Sequence, residues 1–125
     1  MRWNKAVRVM VLDDDEQLLE LYRQVLVEAG YEVTLVKDGV EGLERLGDLP
    51  DAFVVDLMMP RIDGCEFIKR LRGTTEFRTT PALVVSAVAT ESWSQSACGA
   101  DGFLAKPFEI EALLAQLSAL TGHAG

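Results

Sequence analysis

Five short runs rich in Val, Ile, Leu and Phe, at Val7–Leu12, Tyr31–Val36, Ala52–Asp56, Ala82–Ser86 and Gly102–Ala105, each precede a stretch with the apolar spacing of a helix. Strands that alternate with helices in this way build βα units, and such units assemble into a parallel sheet. The first, third and fourth runs are nearly unbroken in apolar residues, as strands are when helices cover both faces of a sheet. The expected fold class is α/β, a doubly wound parallel sheet. At 125 residues, with 49% hydrophobic and 26% charged side chains, the chain suits a single core spanning 1–125.

The first helix is marked by Leu18, Leu19, Tyr22, Leu26 and Ala29 at helical spacing, with a start near Asp15 or Glu16 and Gly30 as its stop. Asp38 is the expected N-cap of the second, while Pro50 and Pro81 fall just ahead of the third and fourth strands. The fourth helix, Thr90–Cys98, is serine-rich and carries only Trp93, Ala97 and Cys98 as an apolar stripe, so it is expected to be short or mobile. The last, Glu109–Leu120, presents Ile110, Leu113, Leu114, Leu117 and Leu120 on one face and should dock firmly.

Twenty acidic residues against twelve basic ones leave a net charge of -8, which argues against binding nucleic acid or an anionic membrane through a basic surface. Neither a signal-type leader nor an apolar run long enough to span a bilayer occurs, so a cytoplasmic location is expected. Cys65 and Cys98 lack the spacing of a metal site or a disulfide framework, and buried free thiols are the expectation. His123, in the terminal Thr-Gly-His-Ala-Gly, is expected to be frayed and without a role.

Ligands of open parallel α/β sheets bind beyond the carboxyl ends of the strands, so the residues there carry the functional argument. Asp13 and Asp14 close the first strand, Asp56 the third and Ser86 the fourth, and Lys106 follows the fifth. Crowded carboxylates repel unless a proton or a cation intervenes. An oxygen-only donor set without His or Cys suits Mg²⁺. A carboxylate beside such a cation and an ammonium group can attack phosphorus, giving an acyl phosphate, and Ser86 is placed to donate to a phosphoryl oxygen once it is there. Taken singly, the Asp13–Asp15 run could merely cap a helix, Asp56 be a loop carboxylate, Ser86 a strand-end hydroxyl and Lys106 a solvated charge. Their conjunction is what points to chemistry.

In order along the chain, VMVLDDDEQLLELYRQVLVEAGYEV, DAFVVDLMMPRIDGCEFI, PALVVSA and GADGFLAKPF resemble the receiver domains of two-component response regulators over nearly the whole length. The resemblance implies a five-stranded sheet in the flavodoxin-like order 2-1-3-4-5, and a phosphorelay switch rather than a conventional enzyme. Asp56 would be the phosphoacceptor. Asp14, Asp56 and the backbone carbonyl of Met58 would ligate Mg²⁺, with Asp13 acting through water and Lys106 contacting the phosphoryl group. Lys106–Pro107 would be cis. Ser86 and Phe103 would form the switch, altering the face made by the fourth helix, fifth strand and last helix. The implied partners are a histidine kinase or histidine phosphotransfer protein and a downstream protein of unknown identity. No output domain is expected within the chain.

Three departures from the family pattern bear on function. The stretch from Ser86 to Lys106 is slightly short, and Trp93 lies within it as either a partner-binding anchor or a packing residue. The last helix carries no Lys or Arg, which favours a monomer. Met58 and Val88 occupy flanking positions where polar groups could orient water, so slow self-dephosphorylation is expected. Two rival readings remain. In a haloacid-dehalogenase-type phosphatase Asp13 would be nucleophile and Asp15 general acid, although Gln17 stands where Thr or Val is expected. A phosphorylation-independent interaction module is the other. A flavin binder is disfavoured because three aspartates after the first strand would repel a phosphate.

Overall fold

The computed structural model describes residues 6–87 and 98–123. Along the chain these form β1 (Arg8–Leu12), α1 (Glu16–Glu28), β2 (Glu32–Val36), α2 (Gly39–Glu44), β3 (Ala52–Val55), α3 (Gly64–Arg72), β4 (Ala82–Ser86), β5 (Gly102–Ala105) and a C-terminal helix, Ile110–Thr121. The strands pair in parallel in the order β2-β1-β3-β4-β5, as expected. The fourth-helix expectation, with Val88 and Trp93, lies outside the described residues apart from Cys98.

Alternation along each strand divides the core into two layers. Val9 and Val11 of β1, Val54 of β3 and Val85 of β4 pack with Leu19, Tyr22 and Leu26 of α1 and with Leu113 and Leu117 of the C-terminal helix. Met10, Leu12, Phe53, Val55 and Val84 point the other way, towards Phe67, Ile68 and Leu71 of α3. Each such side chain, taken from water, contributes roughly 1.5–3 kcal/mol. All of β3 and β4 is buried, which accounts for their unbroken apolar sequences.

Helix starts follow their caps. Asp15 accepts from the Gln17 and Leu18 amides at 3.0 and 3.2 Å, Asp38 from Glu41 at 2.8 Å, and Asp63 from Glu66 at 2.9 Å. Gly30 ends α1 with a φ of 99°, a left-handed conformation open to glycine. At the opposite end of the sheet from these caps, Arg72 of α3 gathers several loops. Its guanidinium donates to the carbonyls of Gly99, Phe77 and Thr80 and to the Asp101 carboxylate, at 2.8 to 2.9 Å.

Two sequence expectations are corrected. Cys65 and Cys98 are not free thiols but form a disulfide, with Cα atoms 5.0 Å apart. α3 packs beside the chain that enters β5, a proximity that the sequence separation of 33 does not reveal. His123 is not frayed. Its ring tilts against Tyr31 with centroids 4.3 Å apart, and Nε2 lies 2.9 Å from the Ala29 carbonyl at the end of α1.

Candidate functional site

β1 and β3 are neighbours, with Leu12 opposite Val55, so the residues that follow them emerge side by side. Asp56 stands just beyond β3, and its amide still donates to the Leu12 carbonyl at 3.0 Å. The Asp13 amide donates to Val36 at 3.1 Å in the same manner. Carboxylate oxygens of Asp13, Asp14 and Asp56 thereby fall within 4.8 Å of one another, a grouping able to hold a metal ion. Asp13 and Asp56 are buried, whereas Asp14 is exposed.

Lys106 reaches this cluster from the end of β5. Its Nζ lies 2.8 Å from Asp13 Oδ2 and 3.1 Å from Asp56 Oδ2, while its amide donates to the Ser86 carbonyl at 3.0 Å. Burial pushes the Asp56 carboxyl above its ordinary value. The Met58 amide, 3.0 Å from Oδ1, and Lys106 pull it down, and Asp13 adds to the rise. Burial acts to lower the Lys106 ammonium, but its bonds to Asp13 and Asp56 and their charges together hold it above its ordinary value. The two shifts have the same sign because burial outweighs the Lys106 bond at Asp56, whereas the two carboxylates outweigh burial at Lys106. Beneath them the buried Tyr22 hydroxyl is raised too, first by burial and then by the charges of Asp13 and Asp56, and stays protonated.

The donor set fits a hard divalent cation, since all three side chains offer oxygen and neither cysteine nor histidine is among them. Asp13 has both oxygens engaged, Oδ1 by the Asp15 amide at 2.9 Å and Oδ2 by Lys106. The exposed Asp14 is the freer to meet a cation.

Ser86 ends β4 with 1% of its surface exposed. Because Val55 pairs with Val84, Ser86 runs alongside the turn that follows Asp56. The Met58 side chain is 65% exposed at the rim of the site. Phe103, on β5, packs half-buried against the α3-side core layer. Gly64, the first residue of α3, admits no side chain, since a Cβ there would meet the Asp56 carbonyl oxygen at 2.3 Å. The Lys106–Pro107 peptide is cis.

The sequence profile of the response regulator receiver domain matches residues 9–118. The chain belongs to that family. Among the receivers it resembles, the response regulator MprA of Mycobacterium tuberculosis is 45% identical over 118 residues, covering 92% of this chain and 50% of that protein. The chain thus spans about half the length of the curated relatives it matches. Chemotaxis protein CheY4 of Vibrio cholerae superposes with a TM-score of 0.86 at 31% identity, covering 92% of this chain and 98% of that one. The receiver domain of the Francisella response regulator 1452 gives 0.82 at 30% identity, covering 95% and 99%. This receiver is therefore a signalling module of two-component transduction with an acidic pocket at its strand ends.

The sequence-derived residues Asp13, Asp14, Asp56 and Lys106 converge, with Ser86 adjoining. Sequence reasoning missed the position of Tyr22 beneath the carboxylates, having read it only as part of an apolar stripe. It also missed a shallow apolar depression beside Lys106, lined by Leu18, Leu21, Ala87, Pro107 and Phe108. Leu18 and Leu21, three apart on α1, were its only signal. No helix among the described residues is long and apolar enough to cross a membrane.

Proposed function

We propose that this receiver accepts a phosphoryl group on Asp56 from a histidine kinase or histidine phosphotransfer protein. It would act in the cytoplasm as a monomer and alter the face built by the region before β5, β5 itself and the C-terminal helix. The observation that carries the reading is the single ammonium of Lys106 bonded to both Asp13 and Asp56, 2.8 and 3.1 Å away. It holds a nucleophilic carboxylate, buried but ionisable, at the mouth of the sheet.

Asp14, Asp56 and the Met58 carbonyl would hold Mg²⁺, with Asp13 acting through water. When bound, the ion would neutralise charge on the phosphoryl oxygens. In the transfer an Asp56 oxygen forms a bond to phosphorus while the bond from phosphorus to the donor nitrogen breaks, and the electron pair leaves with that nitrogen. Lys106 follows the charge onto the phosphoryl group, and Ser86 donates to one of its oxygens. That contact exists only in the modified state, so it biases a two-state equilibrium in which Phe103 takes part. The apolar depression beside Lys106 offers the donor protein a docking surface next to the nucleophile.

A phosphatase that begins at Asp13 is disfavoured, because Gln17 stands where that pattern calls for Thr or Val. The test is incubation of the wild type and Asp56→Asn with acetyl phosphate, with and without Mg²⁺, read by intact mass. The expected result is one Mg²⁺-dependent phosphoryl adduct in the wild type and none in the variant. An adduct that persists in Asp56→Asn would overturn the assignment.

A further inference from the structure

The disulfide between Cys65 and Cys98 joins two segments that both lead to the site. Cys65 is the second residue of α3 and follows Gly64, whose amide donates to the Leu57 carbonyl at 3.0 Å and whose Cα has no room for a side chain against Asp56. Cys98 precedes Gly99, whose carbonyl Arg72 holds, and four residues after Cys98 the chain becomes β5, which carries Phe103 and is followed by Lys106. The bond therefore couples the helix resting on Asp56 to the strand that delivers Lys106. Cys98 is 3% exposed, while Cys65 is half-buried.

Disulfides in a reducing cytoplasm are usually transient and redox-sensing rather than structural. We propose that Cys65 and Cys98 form a redox-responsive link that sets how readily this receiver changes state. The inference rests on the phosphoacceptor reading above. When the bond is formed, the chain entering β5 is tied to α3 at Cys98 by sulfur, one residue before the Arg72 clasp at Gly99. Movement of β5, with Phe103 and Lys106, towards a phosphoryl group then works against a covalent tether. When the bond is reduced, only the Arg72 clasp beyond Cys98 remains.

The chemistry is thiol–disulfide exchange with a low-molecular-weight disulfide as oxidant. The more accessible Cys65, as thiolate, attacks one sulfur of the small disulfide, forming a mixed disulfide and releasing one small thiolate. Cys98, having lost its proton, then attacks the Cys65 sulfur. The intramolecular bond forms and a second small thiolate departs. Two electrons pass from the cysteine pair to the small disulfide, and the two cysteine protons end on the two released thiols. Reduction reverses the order, with a small thiol entering at Cys65 and Cys98 leaving.

Two measurements on the whole chain test this. Wild-type protein equilibrated with graded ratios of oxidised and reduced glutathione is quenched, alkylated and weighed. Either no label or two labels per chain is expected, with the balance shifting across the series. Two free thiols at every ratio would overturn the link. Calorimetric titration with beryllofluoride in Mg²⁺, a mimic of the phosphoryl group, then compares oxidised wild type, phosphine-reduced wild type and Cys65→Ser. The reduced form and the variant are expected to bind about fivefold or more tightly than the oxidised form. The reduced wild type keeps the comparison valid if the variant folds poorly. Equal affinities in oxidised and reduced protein would overturn the coupling. Failure of beryllofluoride to bind in any form, together with no acetyl phosphate adduct, would instead remove the phosphoacceptor reading and the coupling with it.

Discussion

Lys106 Nζ donates to Asp13 Oδ2 at 2.8 Å across 93 residues of sequence, joining the end of β5 to the end of β1 over the top of β3. The same nitrogen touches Asp56, so one cation occupies the place where a second would bind. Lys106→Ala should tighten Mg²⁺ binding, since a competing positive charge a few ångströms away is worth on the order of 1 kcal/mol or more at a protein surface. The same variant should slow phosphoryl transfer. Calorimetric titration with Mg²⁺ checks the first effect and adduct formation from acetyl phosphate the second. Unchanged or weaker Mg²⁺ affinity would contradict the competition.

The raised Asp56 carboxyl has a consequence for stability. Between its unfolded and folded pKa values the native state binds more protons than the unfolded state, so stability falls as pH rises through that window. The cost is then fully present above the folded pKa. In EDTA, Asp56→Asn should melt above the wild type at neutral pH, and the difference should shrink as acid protonates the wild-type carboxyl. Mg²⁺ should narrow it from the other side, by stabilising the wild type by about 2.7 kcal/mol at a hundredfold excess over its dissociation constant. Melting curves across pH, with and without Mg²⁺, separate the two effects.

Gly64 and Gly47 provide a matched pair of substitutions. A Cβ at Gly64 would press on backbone atoms of Asp56 and Leu57 that cannot swing aside, whereas one at Gly47 meets nothing within 4 Å. Gly64→Ala should destabilise the fold by about 3 kcal/mol, in the range of severe overpacking, and impair adduct formation. Gly47→Ala should be neutral or stabilise by up to about 1 kcal/mol. Urea unfolding of both variants distinguishes steric from entropic effects.

Met58 bears on the lifetime of the phosphorylated state. Its side chain is exposed at the rim and offers no strong hydrogen bond to an attacking water, so the adduct should hydrolyse slowly. Met58→Asn should shorten its half-life about tenfold, less than the roughly hundredfold or more of a full general base, because an amide only orients the water. Timing the loss of the adduct by mass in Mg²⁺ buffer decides the matter. A wild type that decays as fast as the variant would sink the expectation.

The candidate site was largely legible because its members end strands. Asp13, Asp56, Ser86 and Lys106 each close or follow an apolar run, and a parallel sheet brings such ends together whatever the intervening helices do. The strand order was not written in the residues themselves and came with the family resemblance. The cysteine pairing was hidden because it depends on how α3 lies against the chain entering β5, a tertiary contact with no local signature. His123 was misread for the same reason. Its partners, the Ala29 carbonyl and the Tyr31 ring, belong to a turn more than ninety residues earlier.

The clasp made by Arg72 bears on how such a chain can diversify. One side chain secures Gly99, Asp101, Phe77 and Thr80, so the register of β5 is set at its root, on the side away from the carboxylates. Sequence changes between α3 and β4 can accumulate without shifting Lys106, because Arg72 holds the backbone carbonyls of Phe77 and Thr80 whatever side chains surround them. A receiver assembled in this way can acquire new recognition specificity while inheriting its chemistry intact.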